Sequence, residues 1–311
     1  MGVVVFVGFL FLLLVGNFSG KVLNADFYKD TIAGQDSYNR IYDEVLIDQK
    51  LKDKTDELLG NIQVGDYDDI GNLLRQILPP GYLQSQVERS IERTVNYLNE
   101  EADDLEAFIE MVPPLGNVKP VLFGYIDRRI DQLQLVEAGV PDCSTQAVSD
   151  LSGRYGDLFN QLADGEVPQS VPSLQSLSQT CRSLVFAASF DQLVANPLLS
   201  PEPRRLLQVS REELRAPFVA GDTLEVLKVA ARPLATPLVD DAINEIRLEL
   251  DEGDRLDLIH QLTEWDDGLT EEDVRSQLAD TRTWVNRSKD FGTITSLAMI
   301  IAVSYTHLTL P

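Results

Sequence analysis

The sequence predicts an all-α protein: a multi-helix extracytoplasmic domain between an N-terminal apolar anchor and the opening turns of a C-terminal transmembrane helix. Three observations predict it. Apolar residues recur at helical spacing through most of the chain, with little strand alternation. Every Asp, Glu, Lys and Arg lies between Lys21 and Asp290. Two uncharged, mostly apolar runs of thirteen residues, Val3–Val15 and Phe291–Val303, lie outside that charged body.

The balance of charge limits the function classes. The 311 residues carry a formal net charge of −24, and their hydrophobic share of 44% is enough for a folded core. A surface this acidic repels phosphate backbones and anionic headgroups, which argues against nucleic acid and against polybasic lipid binding.

The N-terminal segment, residues 1–20, reads "MGVVVFVGFLFLLLVGNFSG". Its apolar core is shorter than the roughly 20 residues of a spanning helix. It has the length of a secretory signal but lacks the basic start, and neither Gly20 nor Ser19 ends a small-x-small cleavage pattern. The first reading is an uncleaved anchor that tilts or uses Gly16–Gly20 to finish the span; a signal peptide and a start lying further upstream are the alternatives. Each sends the body to or across a membrane.

Within the body, Tyr38, Ile41, Tyr42, Val45 and Leu46 form a stripe after an Asp36 cap. Leu83, Val87, Ile91, Val95 and Leu98 form a cleaner one after "LPPG". Further helices are predicted over Val121–Val136, Ala147–Leu162, Leu177–Val194, Leu224–Arg232, Leu234–Leu250 and Arg255–Trp265. The irregular "DGEVPQSVPSLQS", residues 164–176, is the expected boundary between helical subdomains 21–163 and 177–290, or else a long loop within one. "PVLFGYIDRRIDQL" from Pro120 and "PLATPLVDDAINEI" from Pro233 align weakly as a repeat, although Pro-initiated amphipathic helices resemble one another in general.

At the far end Thr270 is placed to cap a helix, with Asp273 completing an imperfect capping box. Val274, Leu278 and Val285 supply its apolar stripe, and Trp284, Arg287 and Lys289 stand where interfacial anchors stand. Residues 291–302 read as the start of a transmembrane helix. The last nine, "VSYTHLTLP", resemble the translation of a transposon-based sequencing-library adapter over their whole length. Residues 303–311 are therefore expected to be an artefact that replaces the rest of the helix and an unknown length of protein.

Two cysteines, Cys143 and Cys181, lie near predicted helix starts. In an exported chain they are expected to form one disulfide across 164–176; two free thiols are the alternative. His307 falls in the tail, leaving His260 alone in "DLIHQLTEW". No catalytic, cofactor or metal residue is assigned, because no zinc spacing, phosphate-cradling glycine loop or nucleophile elbow is present. The acidic clusters from Gly65, Asn99, Leu250 and Trp265 depart from calcium-loop spacing and read first as helix capping and solvation.

These readings converge on a membrane-anchored, acidic, helical protein with a structural or interaction role, its body on the extracytoplasmic side of the cell membrane. Its expected partners are the membrane at both ends and a protein or small ligand on the body. A sensor ectodomain of a receptor, and an accessory domain of a larger polytopic protein or transporter, are the alternatives.

Overall fold

The computed structural model describes residues 24–34, 38, 67–139, 143–197, 199–265 and 270–287. The described chain is mostly helical, as the apolar spacing predicts. Among the described residues no helix is long and apolar enough to cross a membrane. Both apolar ends, and the stripe from Ile41 to Leu46, lie outside them.

By contacts the chain divides into two units. One comprises Met1–Ile41, Pro79–Val112 and Leu250–Pro311, the other Tyr42–Leu78 and Pro113–Glu249. The 164–176 stretch, read from the sequence as a boundary between subdomains or else a long loop within one, lies inside the second unit. The helices that flank it, α5 (Thr145–Ala163) and α6 (Gln179–Ala195), pack side by side.

That second unit also holds α2 (Tyr67–Ile77), α4 (Val112–Asp131), α7 (Pro201–Val209), α8 (Arg211–Ala220) and α9 (Thr223–Leu248). Helix α9 lies against α5, α7 and α8, and α8 also covers α6. Two short strands, β2 (Gln134–Val136) and β3 (Ser170–Pro172), pair in parallel with Leu135 opposite Val171. The predicted helix Val121–Val136 therefore ends sooner than expected and gives way to a strand. Tyr155 is central and fully buried; its hydroxyl donates to the Pro172 carbonyl at 2.6 Å. Its ring lies 4.9 Å from that of Phe218, which lies 5.4 Å from Phe186. Where α5 meets α6 the side chains are small: Ser152 Oγ donates to the Val185 carbonyl and Ser189 Oγ to that of Ser152, each at 3.4 Å.

The sequence predicts separate helices on either side of Pro233, yet α9 runs unbroken through Pro233 and Pro237. An interior proline costs about 3 kcal/mol through its missing donor and its clash with a preceding carbonyl. Burial of Val226, Leu227, Ala230, Ala231, Leu234 and Ala235 against three neighbouring helices outweighs that cost. Helices α7 and α8 are absent from the sequence reading, since their short, proline-bearing segments show barely two turns of pattern each. Gly221 ends α8 with φ 89°, and its amide donates to the Pro217 carbonyl at 3.0 Å.

The first unit contains α1 (Ala25–Gly34), α3 (Pro80–Leu98), β1 (Phe108–Glu110), β4 (Arg255–Asp257), α10 (Leu258–Trp265) and α11 (residues 271–287). Strands β1 and β4 pair antiparallel, with Ile109 opposite Leu256. Arg255–Asp257, expected to open a helix, is thus a strand. The stripe expected to bury α3 is only partly buried. Leu83 and Val95 are covered, but so are Gln86 and Ser90, which face β1. Ser90 Oγ donates to the Phe108 carbonyl at 2.6 Å, and Gln86 Oε1 accepts the Glu110 amide at 3.4 Å. Phe108 lies between the guanidiniums of Arg93 and Arg255, 4.1 Å and 4.3 Å from its centroid. Arg282 of α11 binds the turn after α3, donating to the carbonyls of Ala102 and Asp103, each at 3.2 Å.

The weak repeat acquires structural content. Lys119 pairs with Asp240 at 2.5 Å, Asp127 with Arg232 at 3.0 Å and Asp131 with Lys228 at 2.6 Å. The partner numbers fall on α9 as they rise on α4, so the two helices run antiparallel. In the alignment Lys119 corresponds to Arg232 and Asp127 to Asp240. Each basic residue thus reaches the acid of the other copy, which is the reciprocity of a local two-fold axis. Pro120 and Pro233 both lie inside their helices, so a shared helix-start signal does not explain the likeness.

Candidate functional site

Helix α2 places Asp69, Asn72, Leu73 and Gln76 on one face, at the spacing i, i+3, i+4, i+7. Helix α4 with its following residue repeats that spacing at Tyr125, Arg128, Arg129 and Gln132. The two faces meet antiparallel. Asn117 Nδ2 donates to the Ile77 carbonyl at 3.2 Å, and Tyr125 OH donates to Asp69 Oδ2 at 3.3 Å. Between them lies a cavity of about 330 Å³ whose floor is the buried side chain of Leu73 and whose mouth carries the exposed Arg128 and Arg129.

The charge at this cavity is the reverse of the chain as a whole. Arg93, Arg205, Arg215, Arg232 and Arg275 are each paired with a carboxylate. Arg128 and Arg129 have no carboxylate partner among the described residues. Their sequence neighbours Asp127 and Asp131 are drawn away to Arg232 and Lys228. Asp69 is, among the described residues, the only acid lining the cavity, and one of its oxygens is already engaged by Tyr125. Among the described residues the lining contains no His, Cys or Ser; it offers planar cationic donors, amides and one carboxylate. A second cavity, about 260 Å³, is closed at one side by the Asn196–Asn160 hydrogen bond at 2.8 Å and is walled by Leu199, Leu234 and Leu238.

The residues singled out from sequence fall elsewhere. Cys143 and Cys181 form the disulfide, with Cα atoms 5.5 Å apart. Ser144 and Ser178 cap the two helices beside it, accepting the amides of Ala147 and Cys181. His260 Nδ1 meets Glu271 Oε1 at 2.7 Å, which ties α10 to the start of α11. Several acids of the predicted clusters serve structure. Asp257 accepts the Ile259 amide and pairs with Arg275, while Asp273 and Thr270 exchange hydrogen bonds as a capping box. Among the described residues no group of three His, Cys, Asp or Glu is placed to hold a metal ion. Asp69 alone of these acids reaches the cavity. The adjacent "RR" in "GYIDRRIDQL" was the available signal for the rest.

Compared with family models, with characterised proteins and with solved structures, the chain matches none.

Proposed function

We propose that this is a membrane-anchored helical protein whose body lies on the extracytoplasmic side and acts by binding or structural contact. The observation that carries the reading is the Cys143–Cys181 disulfide, because such bonds persist in oxidising compartments and are rare in the cytosol. The absence of charge from residues 1–20 and 291–311 supports attachment at both ends. A fusion at Gly165 to a reporter active only outside the cytoplasm should be active. Alkylation of the protein from its native compartment, without reductant, should label neither cysteine. Activity of only a cytoplasmic reporter, or two labelled thiols, would reverse the assignment.

The cavity of α2 and α4 favours a second reading, a ligand-sensing ectodomain. The site is concave and its polar groups converge, as those that orient a bound small molecule do. The full chain should then gain thermal stability on adding a small polar ligand; a melting temperature unmoved by any would remove this reading and leave the first intact.

A further inference from the structure

We propose that the cavity between α2 and α4 binds a small zwitterion of α-amino-acid type, its carboxylate on Arg128 and Arg129 and its ammonium on Asp69. The inference rests on the ligand-sensing reading and names the ligand that the charges select. The guanidinium fork matches a carboxylate with two parallel hydrogen bonds. Two adjacent arginines without a carboxylate partner among the described residues, in a chain that pairs so many others, present donors of that shape.

Asp69 decides the rest of the ligand. Tyr125 OH occupies Oδ2 at 3.3 Å, which fixes the carboxylate and leaves Oδ1 to accept from a cation. A dianion such as phosphate or succinate would leave Asp69 opposed by like charge. It would also have to approach a protein of net charge −24, whose field repels it. A zwitterion meets neither obstacle and uses the three charged groups, Asp69, Arg128 and Arg129, that line the cavity among the described residues. Asn72, Gln76 and Gln132 supply neutral donors and acceptors for a polar side chain. A volume near 330 Å³ lies at the small end of ligand sites and suits a molecule of amino-acid size.

The test is titration calorimetry on the full chain, disulfide intact, with glycine, L-leucine, L-glutamine, L-glutamate, succinate and inorganic phosphate as probes. At least one amino acid should bind saturably and raise the melting temperature, more tightly than succinate or phosphate. Arg128→Gln with Arg129→Gln should weaken that binding at least about tenfold, as loss of a charge-assisted bidentate contact does. Asp69→Asn should weaken it similarly. Both variants change exposed or half-buried side chains, and unliganded melting curves matching the parent establish that they fold. Amino-acid binding unchanged in either variant overturns the proposal. Tighter binding of succinate or phosphate overturns the ligand class but keeps a sensing cavity. No saturable heat from any probe up to about 10 mM overturns both.

Discussion

Tyr155 is sealed among aromatic rings, and burial pushes its phenol above the ordinary tyrosine range, with the Thr223 hydroxyl pulling weakly the other way. A buried neutral phenol stabilises the fold fully below its unfolded value of about 10, and the contribution is lost as pH rises beyond that. Lys228, raised first by its hydrogen bond to Asp131, loses its contribution over the same alkaline range. Stability should therefore fall above about pH 10. Tyr155→Phe should cost about 1–3 kcal/mol at neutral pH, through the orphaned Pro172 carbonyl, while flattening that alkaline fall. Urea unfolding across pH checks both, and an unchanged alkaline slope would refute the assignment to Tyr155. At Gly221 a Cβ would meet the Arg182 guanidinium at 1.9 Å, in a backbone conformation with φ 89°. Gly221→Ala should cost about 1–2 kcal/mol from the left-handed conformation alone, with displacement of Arg182 from the Ala220 carbonyl added.

At the scale of elements, the disulfide joins Cys143, just before α5, to Cys181 in the first turn of α6, across 38 residues of sequence. Chain-entropy arithmetic gives such a loop about 4 kcal/mol, so reduction should lower the unfolding free energy by about that much. Equilibrium denaturation with and without reductant measures it; a difference below about 1 kcal/mol would mean the reduced unfolded chain is already constrained. The reciprocal pairs between α4 and α9 have their own signature. Reversing Asp127 to Arg should destabilise by about 1 kcal/mol, because it breaks one half-exposed pair and sets two like charges together. Adding Arg232→Asp should restore most of that loss. Failure of the double exchange to recover would mean that the pairing contributes nothing to how α4 and α9 are held.

For the whole molecule, an excess of 50 acids over 26 bases makes self-repulsion the dominant long-range electrostatic effect. The ion pairs are mostly half-exposed, worth about 0–1 kcal/mol each, so screening should relieve more repulsion than it removes attraction. The melting temperature should rise between about 10 mM and 150 mM salt. A fall would place the balance with the pairs instead.

Helical class, the positions of α5 and α6, the Thr270 capping box and the cysteine pairing were all legible in the sequence. Each depends on neighbours within a turn or two, on period, or on there being only two cysteines to join. The continuity of α9 through Pro233 and Pro237 was not legible, because it depends on burial against α5, α7 and α8, which offsets a local cost only once those helices are folded alongside. The polar buried face of α3 was hidden for the same reason: Gln86 and Ser90 are inside only because β1 offers them backbone partners. The sequence shows "RR" flanked by two aspartates and invites local pairing. Only the tertiary structure draws Asp127 and Asp131 to α9 and brings Asp69 from α2, leaving two guanidiniums at a cavity. Charge at a site is a sum over groups brought together by folding, and the chain order of those groups does not contain it.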